Sequence, residues 1–100
     1  MSVLVVATLR ANKAAFEKLV AERGDDLRAA AARGKAAGAI HHRFGLGDDG
    51  TVIIVDEWNS AESFQAFFGD PEIAGLMEAS GVTGPPEVVI VQALDTPDQF

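Results

Sequence analysis

Apolar residues in this chain fall into four short runs, three of them rich in β-branched residues, and two long stretches at helical spacing. Val3–Leu9 (VLVVATL) predicts a first strand. Asn12 then offers a side-chain oxygen to the free N–H groups of a first helical turn. Phe16, Leu19, Val20, Leu27, Ala30 and Ala31 recur at helical spacing and predict one helix from about Lys13 to Arg33. Gly24, with Asp25 and Asp26, marks an expected kink, and the end falls at either Gly34 or Gly38. Ala39–Leu46 sets Ile40, His42, Phe44 and Leu46 against His41, Arg43 and Gly45, a strand with one apolar and one polar face. The turn Gly47-Asp48-Asp49-Gly50 leads to a returning strand, Thr51–Trp58 (TVIIVDEW). Asn59 or Ser60 caps a second helix whose buried face is Phe64, Phe67 and Phe68. Gly69 interrupts it, Asp70 caps a new turn with Pro71 at its first position, and Ile73, Leu76 and Met77 carry the apolar side on to Gly81. After Gly84-Pro85-Pro86, Glu87–Leu94 (EVVIVQAL) is the last strand.

The order β-α-β-β-α-β predicts an α+β, ferredoxin-like fold: a four-stranded antiparallel sheet with two helices on one face. A sheet whose second face met water would alternate apolar with polar residues, yet Val3–Val6, Val52–Val55 and Val88–Val91 are apolar on both sides. No third layer of sequence is left to cover that face. The expectation is a homodimer joined sheet to sheet.

One hundred residues allow a single domain spanning positions 1–100 and exclude a two-domain enzyme. No apolar run approaches the ~20 residues that cross a bilayer, and the first run lacks a basic leader. A cytoplasmic protein with no membrane partner is expected. Without cysteine there is no disulfide framework, thiolate nucleophile or cysteine-ligated metal. The net charge of −7 conceals a division: residues 1–43 hold all eight basic residues and four acids, net +4, whereas residues 44–100 hold eleven acids and no Lys or Arg. The halves complement one another, and the acidic part would repel phosphates, so nucleic acid is not an expected partner.

Common catalytic motifs are absent: no phosphate loop, no GxSxG, no HExxH. His41 and His42 are adjacent on a strand and point to opposite faces, which excludes joint ligation of one metal. His42 reads either as a hydrogen-bonded core residue or as a general base, since imidazole is the side chain that titrates near neutrality unaided. Trp58, at the strand end, reads either as packing or as a ligand-facing wall. Of Asp56 and Glu57, one must face inward if the strand stays regular. The expectation is a local irregularity that puts both in water or against the basic first half.

The stretch VIIVDEWNSAESFQAFFGDPEIAGLM, a strand ending in Trp, then N-S-x-E-x-F, paired aromatics and a Pro-interrupted helix, resembles the antibiotic-biosynthesis-monooxygenase group of the dimeric α/β-barrel superfamily. With the first strand and helix, the resemblance covers essentially the whole chain. It implies a cofactor-independent monooxygenase, or a cyclase, acting on a hydrophobic aromatic or phenolic molecule in a cleft between sheet and helices. The haem-degrading members of that superfamily use a first-strand Asn, a third-strand Trp and a helix His. Trp58 matches, but Ala7 and Met77 stand where the Asn and His belong, so neither haem nor another cofactor or metal is expected. By strand and helix position, His42 and Trp58 are the expected reaction centre, with Thr8, His41, Arg43, Phe64, Phe68 and Met77 as substrate contacts. The alternative is a non-catalytic dimeric module that binds a small molecule or a partner.

Overall fold

The computed structural model describes residues 1–100. In chain order the elements are β1 (Val3–Arg10), α1 (Lys13–Glu22), α2 (Gly24–Ala37), β2 (Ala39–Leu46), β3 (Thr51–Trp58), α3 (Ala61–Phe68), α4 (Pro71–Ala79) and β4 (Glu87–Gln92). The strands form one antiparallel sheet in the order β2-β3-β1-β4, as the ferredoxin-like pattern requires. β1 reaches Arg10 because it pairs with Thr51, and β4 stops at Gln92 because its partner strand begins at Val3.

The first helical stretch is two helices rather than one kinked helix. Arg23 leaves helical geometry at φ −121° and ψ 30° while its N–H closes on the Leu19 carbonyl at 2.8 Å. α2 then starts without a side-chain cap, and Asp25 and Asp26 in its first turn supply negative charge where the helix dipole favours it. Arg23 at this junction pairs with Asp26, and Arg28 pairs with Asp25 within the start of α2. Of the two possible ends, Gly38 is the one used. Its φ is +126°, and a Cβ there would lie 2.5 Å from the Asn59 side chain. Gly34 stays inside α2.

Asn12 caps α1 as expected, accepting from the Ala15 N–H at 2.9 Å. Ser60, not Asn59, caps α3 through the Ser63 N–H, and Asp70 caps α4 through the Glu72 N–H with Pro71 at the first position. In the β2–β3 turn the Thr51 N–H, 3.0 Å from the Asp49 carboxylate, holds that carboxyl below its ordinary value. Gly75 sits inside α4, and a Cβ there meets nothing within 4 Å. Gly75→Ala is therefore expected to stabilise the fold by about 0.5–1 kcal/mol, raising Tm by roughly 2–8 °C in a thermal melt.

All four helices lie on one face of the sheet. Val5, Ala7 and Leu9 from β1 and Val52, Ile54 and Trp58 from β3 meet Phe16, Leu19, Phe64 and Ile73 there. The opposite face carries Leu4, Val6, Ile53, Val55, Val89 and Val91, each between 39% and 58% exposed, and no segment of the chain covers them. Their registers place Arg43, Val55, Val6 and Val89 in one row across the four strands.

Candidate functional site

Strand β3 pairs with β1 without a break from Val3–Trp58 to Arg10–Thr51, so period-2 alternation puts Val52, Ile54, Asp56 and Trp58 on one face. Asp56 is thus only 6% exposed, beneath the helices. The irregularity expected at Asp56 and Glu57 does not occur. Burying a carboxylate is costly unless it is hydrogen-bonded, and both its oxygens are used. Trp58 Nε1, two residues along the same face, donates to Oδ2 at 3.0 Å, and His42 Nδ1 lies 2.7 Å from Oδ1. A carboxylate only accepts, so His42 donates from Nδ1, an arrangement that in the neutral imidazole leaves the lone pair on Nε2.

His42 reaches Asp56 because the irregularity lies in β2 instead. Ala39 pairs with Trp58 and His41 with Glu57, leaving Ile40 as the extra residue of a β-bulge. Beyond it His42 stands opposite Asp56 and Phe44 opposite Ile54. The Phe44 ring meets His42 edge-on at 4.7 Å and Phe16 at 5.3 Å.

The His42 imidazole spans from this buried carboxylate to a cavity of about 380 Å³ between the sheet and the helices. One wall is α2, whose cavity stripe of Leu27, Ala30, Ala31 and Gly34 is mostly small and leaves the space unfilled. The others are Phe64, Phe67 and Phe68 of α3 and Ile73, Leu76 and Met77 of α4. Trp58 floors it, with Phe67 at 5.3 Å and Phe64 edge-on at 5.8 Å. Sixteen of its 22 lining residues are hydrophobic, so a ligand here sheds most of its water.

Three solved structures share this architecture over nearly their whole length. The monooxygenase from ActVA-Orf6 of Streptomyces coelicolor, in complex with Nanaomycin D, is 21% identical with a TM-score of 0.68, covering 99% of this chain and 93% of that one. An antibiotic biosynthesis monooxygenase is 11% identical with a TM-score of 0.66, covering 93% and 99%. A variant of SnoaB, a cofactor-independent oxygenase from Streptomyces nogalater, is 17% identical with a TM-score of 0.63, covering 98% of each chain. The chain has the antibiotic-biosynthesis-monooxygenase fold. No protein-family model matches its sequence, and no curated protein does.

Within this fold, the residues expected from the sequence separate into three groups. His42, Trp58, Phe64, Phe68 and Met77 all line the cavity. His41 touches its rim, although its strand pairing with Glu57 turns it toward the other side of the sheet. Thr8 and Arg43 are not contacts of the cavity: Thr8 alternates with the buried Ala7 and Leu9, Arg43 with His42 and Phe44, and both lie on the uncovered face. Trp58 is two hydrogen bonds removed from the His42 imidazole, with Asp56 between them, because its N–H is committed to Asp56. Asp56 itself was legible only as the third member of the alternation Val52, Ile54, Asp56, Trp58. Met77 presents a thioether to the cavity, and no group of three His, Cys, Asp or Glu side chains converges anywhere.

Proposed function

We propose that the chain is a cofactor-independent monooxygenase of hydrophobic aromatic compounds that carry an acidic C–H or phenolic O–H. The observation that carries this reading is the hydrogen-bonded line Trp58–Asp56–His42, which ends in an imidazole that lines an apolar cavity. His42 Nε2 takes the acidic proton, and Asp56 holds the ring in the tautomer that can do so and stabilises the imidazolium formed. The resulting carbanion, kept from water by the phenylalanine walls, reduces O₂ itself and collapses to a hydroperoxide; loss of water then converts CH₂ to C=O. That the similar structures include a cofactor-independent oxygenase, and a monooxygenase holding Nanaomycin D, supports this class of chemistry.

The second part of the proposal is the homodimer, in which the six exposed aliphatic residues of one sheet cover those of another copy.

Anthrone tests the activity. Oxygen uptake in an electrode cell is expected to match anthraquinone formation one to one, at a rate proportional to protein and well above the uncatalysed oxidation. Anthrone that binds without accelerated oxygen uptake would overturn the reading and leave the cavity as the binding site of a non-catalytic module.

A further inference from the structure

Five polar or charged side chains line the cavity: Lys35, His41, His42, Asp56 and Ser80. Two are already committed. Both Asp56 oxygens accept bonds, and the Ser80 hydroxyl, 4% exposed, donates to the Met77 carbonyl at 2.5 Å. His42 Nε2 is reserved for the proton. What remains for a second polar group on a ligand is the Lys35 ammonium and His41 at the rim.

Lys35 follows Leu27 and Ala31 at spacings of eight and four residues, on the same stripe of α2 that walls the cavity. Lys13, Arg23, Arg28 and Arg33 each pair with a carboxylate, whereas Lys35, like Arg10, Lys18 and Arg43, has none within 4.0 Å. It is the only Lys or Arg that lines the cavity. Its place in the last turn of α2 suits a positive charge without any partner.

Resting on the cavity reading above, we infer that the ligand is an aromatic acid, with an apolar ring system under α3 and α4 and a carboxylate met by Lys35. Lys35 is exposed and lines the cavity, so its ammonium lies within a side chain's reach of a largely apolar space, where it favours an anion and offers an uncharged ring system nothing comparable. No free carboxylate faces the cavity, so a cationic ligand has no partner there.

Calorimetric titration with 2-naphthoate and its methyl ester separates charge from shape. The acid is expected to bind at least about 10-fold tighter than the ester, with an affinity that falls as salt rises while the ester's does not. Lys35→Ala should bring the acid down to the level of the ester, Lys35→Glu should place it below, and Lys35→Arg should retain the preference. The ester should bind all variants alike. Equal binding of acid and ester to the parent chain, or a Lys35→Ala loss shared by both probes, would overturn the role of Lys35 while leaving the cavity in place. Binding of neither probe would overturn the cavity reading together with it.

Discussion

Asp56→Asn is expected to lower the rate of anthrone oxidation by about 10²–10⁴-fold while leaving ligand affinity within a few-fold of the parent. The substitution keeps the size of the side chain and its place in β3. An amide, however, has one acceptor oxygen where the carboxylate serves two donors, Trp58 Nε1 and His42 Nδ1. If the amide oxygen stays with Trp58, its NH₂ faces His42 and draws the imidazole into the opposite tautomer, with the hydrogen on Nε2 and no lone pair toward the cavity. His42→Ala is expected to lose as much and to lose no more in the double variant, because the two residues act as one unit. Additive losses, or a His42→Ala chain that oxidises anthrone at the parent rate, would remove the pair from the mechanism.

Val55→Lys is expected to convert a dimer into a monomer of 10.5 kDa on analytical ultracentrifugation, with the dimer weakened by at least about 100-fold. Val55 lies in the middle of the uncovered face, 52% exposed, between Arg43 on β2 and Val6 on β1. Covering the exposed half of such an aliphatic side chain yields about 1 kcal/mol, so six per copy favour association, and one buried ammonium per copy opposes it. The inward core is untouched by this change, so circular dichroism of the variant should match the parent. A parent chain that sediments as a monomer at micromolar concentration would end the dimer proposal.

The sheet was legible because its signal is redundant: β1, β3 and β4 are rich in β-branched residues, β2 and β3 flank a Gly-Asp-Asp-Gly turn, and each strand pairs with a neighbour whose register its own apolar face demands. The break at Arg23 was less so, since Ala and charged residues continue at helical spacing through it and only the local backbone shows where the hydrogen bonds stop. At the site, Phe64, Phe68 and Met77 followed from helical periodicity, whereas Thr8 and Arg43 fell on the wrong face. For Arg43, membership of the polar face already placed it opposite His42; for Thr8, the run VLVVATL is apolar on both faces and carries no directional information. Asp56 was misjudged for an energetic reason. The cost of burying a carboxylate argues for distortion of the strand, and that argument fails once two donors from different positions converge on it, a convergence set by tertiary pairing.

The bulge at Ile40 has a consequence for the two neighbouring histidines. Had β2 continued regularly from the Ala39–Trp58 pair, His41 would stand opposite Asp56, Arg43 opposite Ile54 among the core side chains, and Phe44 on the far side of the sheet. Both arrangements supply an imidazole to the same carboxylate. What separates them is Phe44, which packs against Phe16 only when Ile40 is looped out, and Arg43, which reaches the open face only then. The choice of which imidazole meets the carboxylate is thus made by a phenyl ring and a guanidinium that take no part in the proton transfer.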